Sequence, residues 1–131
     1  MQGMMAVKFY QLLLRMLEGH GGAVVPNDIR DVIIRFNTRF EGIEQQDAQE
    51  FLTILLDSLH EDLNRIEDRP NTEAIVLEEG DLPEAEVSFL SWKNHLKRND
   101  SYIVDTFHGQ LKSRKTCPNC FKVCFGGDTS L

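Results

Sequence analysis

The chain has 131 residues, 41% hydrophobic and 27% charged, so length and composition predict one modest globular domain rather than a disordered tail. Fourteen Lys and Arg stand against 21 Asp and Glu, a net charge of −7. Because nucleic-acid binding depends on neutralising phosphates with Lys and Arg, this balance argues against a nucleic-acid partner and favours a basic one.

Two amphipathic helices are predicted at the start of the chain. The first helix ends before the glycine-rich residues 19–22. The second helix begins at Pro26-Asn27-Asp28, residues that are common at a helix start. Their apolar residues recur at three- and four-residue steps, so each helix has one apolar stripe. The stripes are Phe9, Leu12, Leu13, Met16 and Leu17 in the first helix, and Ile29, Val32, Ile33 and Phe36 in the second.

A third helix is predicted to begin between Glu44 and Asp47. Its apolar residues fall on one face at about 100° per residue, which predicts a core helix. Asp47 and Glu50 lie at its start, where unsatisfied backbone N–H groups and the helix dipole favour carboxylates, so Asp47 or a neighbour is a candidate cap. The apolar face comprises Ala48, Leu52, Leu55, Leu56, Leu59, Leu63 and Ile66.

Residues 68–86 contain two prolines, a glycine and many acids, which predicts an exposed loop. After this loop, Phe89, Trp92 and Leu96 recur at helical spacing up to Asn99, and Trp92 is interpreted as a core residue.

A short helix and a hairpin are predicted near the end of the sequence. Residues 101–105 suit a helix start, and residues 109–115 alternate in polarity as a strand does. Residues 121–125 can form the returning strand, before Gly126-Gly127 ends it.

Cys117 and Cys120 have the spacing at which two thiolates converge on one tetrahedral zinc ion. A closed structural zinc site needs four ligands, so this pair is half of one. A redox Cys-x-x-Cys normally opens a helix, whereas this one joins two strand-like segments, which favours a zinc ribbon over a redox pair. Cys124 is either a third ligand or, as we favour, a small residue facing the hairpin interior.

The cysteines and the N-terminus bear on the compartment. Three cysteines are not the even set of a small secreted protein and indicate a reducing, intracellular environment, cytoplasmic or nuclear. No basic segment precedes an unbroken apolar run, and no stretch has the length of a bilayer span. We therefore expect neither secretion nor membrane association.

The residues alone do not identify a reaction. A nucleophilic cysteine needs a base, but nothing in the sequence brings a histidine to a thiolate. Two of the four histidines, His60 and His95, are predicted on helix surfaces; the others are His20 and His108. Glycine-rich phosphate loops and serine-centred elbows do not occur.

A family resemblance adds to this reading. The segment QQDAQEFLTILLDSLHEDLN, residues 45–64, resembles the second sequence box of the ubiquitin-specific proteases, which are papain-like cysteine peptidases. Later features resemble the same family in the same order, whereas the first two helices fit it only loosely. These features are Trp92, Ser101-Tyr102-Ile103-Val104-Asp105-Thr106-Phe107-His108-Gly109, then Leu111, Ser113 and the Cys117-x-x-Cys120 knuckle.

The resemblance implies a mostly helical α+β fold, in which thumb-like helices adjoin the start of a zinc-ribbon β hairpin of a papain-like domain. Because a thumb without its palm leaves surface uncovered, self-association of the chain is also expected. Within one partial catalytic domain, 1–131, the thumb-like helices would occupy 1–67, an acidic loop 68–86, further helices 87–108 and the root of the fingers 109–131.

The resemblance also implies a partner, ubiquitin or a ubiquitinated protein. In this family the Gln-Gln-Asp helix start lines the channel that receives the extended, arginine-bearing C-terminal tail of ubiquitin. Asp47 and Glu50 would contact backbone amides or guanidinium groups of the tail, and Gln45 and Gln46 would add amide contacts. A helix cap with a solvated acidic face is the compatible structural alternative.

Two parts of the family's catalytic machinery do not occur in this sequence. The family nucleophile lies in an N-terminal Gly-Asn-Thr-Cys-Tyr-like box, but no Cys precedes Cys117 here, and the C-terminal box that carries the His base does not occur either. The second Cys-x-x-Cys of the fingers also does not occur. We expect an internal fragment of a deubiquitinating thiol hydrolase, with no catalytic residue of its own and no activity alone.

Two alternatives stay open. In the first alternative, the chain is a non-catalytic module that binds the ubiquitin tail or another basic segment. A nucleic-acid-binding zinc ribbon is a weaker alternative, motivated by the basic residues beside the knuckle, which are Lys112, Arg114, Lys115 and Lys122.

Overall fold

A computed structural model describes residues 3–19, 21–72, 76–78 and 83–130 of the chain. Side chains are described in these ranges except at 76–78 and 124–130. The chain divides into two compact units, Met1–Leu63 and Asn64–Leu131. Among the described residues, no helix has both the length and the apolar character needed to cross a bilayer. The finer division into thumb, loop and finger segments stays a prediction.

The first unit is entirely helical. It consists of α1 (Met4–Glu18), α2 (Asn27–Phe36), a 3-10 helix (Thr38–Phe40) and α3 (Ala48–Leu63). Helix α1 packs against both α2 and α3. Gly19 ends α1 in the left-handed conformation with φ 61°, which a residue without Cβ adopts at least cost. The two predicted N-terminal helices are confirmed.

The core of this unit is built mainly by α2. Ile29, Val32 and Ile33 are buried on the inward side of α2, together with Met5 of α1 and Leu59 of α3. Burying such side chains stabilises the fold by roughly 1.5–3 kcal/mol each. Helix α1 is covered less completely, and three residues of its predicted stripe, Leu13, Met16 and Leu17, are exposed. The other exposed apolar residues of α1 are Met4, Val7, Tyr10 and Leu14.

The prediction that α3 is a core helix along its whole apolar face is wrong for this unit. Leu59 is buried, but Leu52 is 53% exposed and Leu63 is 41% exposed. Packing against α1 covers only part of the α3 face, and Ile66 lies beyond the end of the helix. His60, predicted on the surface, is instead buried at 5% exposure.

One carboxylate joins the end of α3 to the start of α1. Asp62 accepts hydrogen bonds from the backbone N–H groups of Gly3 (3.2 Å), Met5 (2.7 Å) and Ala6 (3.1 Å). These groups have no acceptor within their own helix, and a negative charge at a helix start also complements the helix dipole. Asp62 therefore sets the position of α1 relative to α3.

The second unit combines two helices with a three-stranded antiparallel sheet. Its sheet has the order β1-β3-β2, and α4 packs against β3. Its elements are β1 (Val76–Glu78), α4 (Glu84–Leu96), α5 (Tyr102–Phe107), β2 (Gly109–Thr116) and β3 (Val123–Ser130).

The structure corrects the predicted extent of a loop and of a strand in this unit. The segment 68–86 is not a loop throughout, because β1 pairs with β3 and α4 begins at Glu84. Strand β3 does not end at the glycine pair, since Gly126 lies opposite Ser113 and Gly127 opposite Lys112. Backbone pairing on both sides of β3 compensates for the weak strand preference of glycine.

The short helix α5 supplies two of the buried apolar residues of the second unit, and Val123 of β3 is a third among the described side chains. Ile103 and Val104 are buried, as is Ser101, whose Oγ accepts a hydrogen bond from the Val104 N–H at 3.2 Å. This is the helix start that the sequence predicts. Trp92, interpreted as a core residue, is only half-buried and stacks on His95 with ring centroids 5.3 Å apart.

The residues that follow α3 are fastened to the segment before α5. The side-chain oxygen of Asn64 accepts from the N–H groups of Ile66 (3.2 Å) and Asp100 (2.9 Å), and its amide donates to the Arg98 carbonyl at 2.9 Å. Arg65 adds an ion pair with Asp100 at 2.6 Å. This network closes the second unit at its N-terminal side.

We expect Asp62→Ala to lower the free energy of unfolding by about 1–3 kcal/mol, because three backbone N–H groups lose their charged acceptor. Urea unfolding followed by circular dichroism measures the change. Asp31→Ala, an exposed carboxylate on α2, is the control and should change stability by less than about 0.5 kcal/mol. Equal losses in the two variants would contradict the assignment.

Candidate functional site

The start of α3 is capped by Asp47, as predicted. Its Oδ1 accepts hydrogen bonds from the N–H groups of Gln49 (2.7 Å) and Glu50 (3.4 Å), while its carbonyl accepts from Phe51 at 3.0 Å. Two N–H groups at the helix start thus have an acceptor. A carboxylate offers about four acceptor positions, so Asp47, which is exposed, can still accept donors from a ligand.

Glu50, in the first turn of α3, forms an ion pair with Arg39. The Arg39 Nη1 lies 2.7 Å from the Glu50 Oε1, and the two side chains are 65% and 35% exposed. Arg39 belongs to the 3-10 helix, where its backbone N–H donates to the Asn37 side chain at 3.1 Å. One of the two negative charges at the start of α3, that of Glu50, is therefore paired with a cation of the same unit.

An aromatic contact holds the 3-10 helix against α3. Phe40 and Phe51 meet edge to face, with centroids 5.7 Å apart and ring planes at 70°. Such pairs stabilise by about 0.5–1.5 kcal/mol beyond the area that they bury. The contact positions the backbone that carries Arg39 beside the first turn of α3.

A surface cavity of about 540 Å³ opens at this helix start. It contains two of the predicted binding residues, Asp47 and Glu50, whereas Gln45 and Gln46 are exposed ahead of the helix and are not among the described residues that line it. The structure therefore brings together two of the four predicted residues. The cavity is lined by Asn37, Asp47, Gln49, Glu50, Thr53 and Ile54.

The Cys-x-x-Cys segment forms a tight turn between β2 and β3. The Cys117 N–H donates to the Lys122 carbonyl and the Phe121 N–H donates to the Cys117 carbonyl, both at 2.9 Å. Phe121 has φ 58°, the left-handed conformation. Neither Cys117 nor Cys120 forms a disulfide. The cysteines thus lie on a knuckle, as the spacing predicts.

The knuckle stabilises a thiolate. Hydrogen bonds to Cys117 from the backbone N–H of Cys120, then from that of Asn119, and from the Cys120 side chain lower the pKa of the Cys117 thiol. A thiolate is the form that ligates zinc, so the donor chemistry of this pair fits the metal. Among the described residues no three His, Cys, Asp or Glu side chains converge on a metal position. The half zinc site stays a prediction, and the Cys124 side chain lies outside the described part.

The four basic residues beside the knuckle have exposed side chains, and one of them forms an ion pair with α4. Lys112 forms an ion pair with Glu84 of α4 at 2.7 Å. Arg114, Lys115 and Lys122 are exposed on the strands and the turn.

Two histidines form a local network in the second unit. The Nε2 of His95 and the Nδ1 of His108 are 3.0 Å apart, and the Asn99 amide nitrogen lies 3.2 Å from the His95 Nδ1. The same amide donates to the His95 carbonyl at 3.1 Å, which fixes its orientation. This arrangement favours the tautomer of His95 in which Nδ1 accepts from Asn99 and Nε2 carries the proton beside His108. His20 lies outside the described residues.

Sequence reasoning missed Arg39 as part of the site. Arg39 and Glu50 are eleven residues apart and belong to different elements, so no helical or strand period relates them. The available signal was that Arg39 carries a positive charge a few residues ahead of the acidic start of α3. The contact requires the turn to fold back onto α3, which only packing decides.

The fold and the site define an α+β chain with an acidic cavity at a helix start and a Cys-x-x-Cys knuckle in a hairpin. Residues 2–125 match the family described as ubiquitin carboxyl-terminal hydrolase. The chain belongs to this family.

Curated relatives extend the same finding. Over 123 residues the chain is 44% identical to ubiquitin carboxyl-terminal hydrolase 4 of Bos taurus, covering 94% of this chain and 13% of that protein. Over 124 residues it is 45% identical to ubiquitin carboxyl-terminal hydrolase 15 of Homo sapiens, covering 94% of this chain and 12% of that protein. The chain thus spans about an eighth of the length of these relatives.

We expect Cys117 to be alkylated by iodoacetamide with a pH midpoint below that of an ordinary thiol, because the knuckle N–H groups stabilise its thiolate. The rate at this site is followed against pH by peptide mass spectrometry. In urea, where the knuckle is lost, the midpoint should rise to the ordinary value. A midpoint that urea leaves unchanged would show that the turn does not act on the thiol.

Proposed function

We propose that this chain is the ubiquitin-binding part of a deubiquitinating thiol hydrolase and that the start of α3 receives the C-terminal tail of ubiquitin. The observation that carries the proposal is the cavity in which Asp47 and Glu50 meet, in a chain 45% identical to a ubiquitin carboxyl-terminal hydrolase. Its volume of about 540 Å³ lies in the range of ligand sites, roughly 300–1,000 Å³.

The chemistry of the cavity suits an extended cationic segment. Asp47 is held in place by its own helix and offers further acceptor positions to guanidinium or amide donors. Glu50 supplies the second carboxylate one turn along. Hydrogen bonds of this kind between ionised groups are about twice as strong as neutral ones. Gln45 and Gln46, exposed ahead of the helix, would contact backbone amides of the same segment.

Bond cleavage is assigned to residues outside residues 1–131. A thiol hydrolase needs a cysteine activated by a histidine base, and the only cysteines of this sequence lie in the hairpin, from Cys117 onward. The role of this chain is to bind the tail and to orient it for attack after its terminal glycine. We place the protein inside the cell, where Cys117 and Cys120 stay reduced.

We further propose that Cys117 and Cys120 are two ligands of a structural zinc ion and that the β2–β3 hairpin is the root of a zinc ribbon. The lowered thiol pKa and the turn that brings both cysteines to one knuckle support this. Zinc would supply a cross-link that stabilises the hairpin.

A non-catalytic ubiquitin-binding module is the second candidate. The observation in its favour is that every residue lining the cavity belongs to the unit Met1–Leu63. Binding at this cavity would therefore not require a catalytic centre.

We expect Asp47→Asn and Glu50→Gln each to weaken the binding of isotope-labelled ubiquitin by about tenfold or more, because each removes one charged acceptor. NMR shifts of the ubiquitin tail during titration measure the affinity. Asn is also a good helix cap, so Asp47→Asn separates the loss of charge from the loss of the helix start.

Glu86→Gln is the matched control for these variants. Glu86 is an exposed acid in the first turn of α4, in the other unit, and its neutralisation changes the net charge equally. Its affinity should equal that of the unchanged chain, and helix content by circular dichroism should be the same in all variants. Tail shifts that persist unchanged in Asp47→Asn and Glu50→Gln would refute the proposed site.

We expect no covalent product between this chain and ubiquitin bearing a C-terminal electrophile, because we propose none of its three cysteines as the catalytic nucleophile. Intact-mass spectrometry detects such an adduct. An adduct mapped by peptide analysis to Cys117, Cys120 or Cys124 would overturn the assignment of catalysis to other segments.

A further inference from the structure

The ion pair between Arg39 and Glu50 occupies one of the two carboxylates of the cavity. The Nη1 of Arg39 lies 2.7 Å from Glu50, whose side chain is 35% exposed. A cationic ligand at this cavity would need the same carboxylate. We propose that Arg39 is an internal competitor that lowers the affinity of the cavity for cationic segments; the inference rests on the proposed function.

The backbone of Arg39 is held firmly, while its side chain has room to move. Asn37 accepts the Arg39 N–H at 3.1 Å, and the contact between Phe40 and Phe51 fastens the 3-10 helix to α3. The Arg39 side chain is 65% exposed. The guanidinium can therefore leave Glu50 by side-chain rotation alone, without any movement of the helices.

Displacing Arg39 has a small and definite cost. Exposed ion pairs contribute little to stability, so an incoming cation that replaces Arg39 at Glu50 loses about two- to fivefold in affinity relative to a vacant carboxylate.

The exchange concerns one of the two carboxylates of the cavity. A cationic segment gains at Glu50 only the difference between its own contact and the ion pair that Arg39 gives up. A segment that also reaches Asp47, whose carboxylate caps α3 and forms no ion pair among the described residues, gains additional bonds there that Arg39 does not oppose.

The test compares the binding of labelled ubiquitin to the unchanged chain, Arg39→Gln and Arg35→Gln by NMR titration. Arg35 is an exposed arginine in the last turn of α2 and does not line the cavity, so its variant removes the same charge elsewhere in the same unit. Arg39→Gln should bind about two- to fivefold more tightly, whereas Arg35→Gln should change the affinity less than about twofold.

A double-mutant cycle identifies the route of the effect. If Arg39 acts by occupying Glu50, Arg39→Gln should have no effect in the Glu50→Gln background. A gain that persists there would overturn the competitor role in favour of general electrostatic repulsion. Unchanged or weaker binding by Arg39→Gln, while the unchanged chain binds, would overturn this inference alone. Absence of binding by every chain would overturn the proposed function and this inference together.

Discussion

Unsatisfied backbone N–H groups at the helix starts are the constraint around which both units are built. Each helix leaves such groups without an internal partner, and buried or half-buried ones require an acceptor. Asp62 serves α1 and Asp47 serves α3, while Ser101 serves α5 in the second unit. Asp62 acts between helices, so its bonds also define how α1 lies on α3.

The same constraint explains the polarity ahead of the apolar run of α3. The Asp47 carboxylate is required by the helix whether or not a ligand is present, and it is also directed into the cavity. Structure and binding are not competing explanations for this residue, because a carboxylate has acceptor positions for both. Glu50 differs, since its partner is Arg39, a side chain that can be exchanged for another cation.

Local pattern explains much of the fold. Glycine after α1, the Pro-Asn-Asp start of α2 and the serine cap of α5 act within a few residues, so the sequence predicts these helix ends correctly. Predictions failed where distant segments meet. The buried His60 and the strand Val76–Glu78 both depend on packing or pairing partners that lie far away in the chain.

The sequence by itself determined the three N-terminal helices, the hairpin with its Cys117–Cys120 knuckle and, through the family resemblance, the acidic start of α3 as the candidate site. These features depend on short-range periodicity, caps and turns. Only the tertiary structure decided that Asp47 and Glu50 share a cavity and that Arg39 occupies one of them. The physical reason is that a turn must fold back onto α3 before charges eleven residues apart can meet, and no local period encodes that contact.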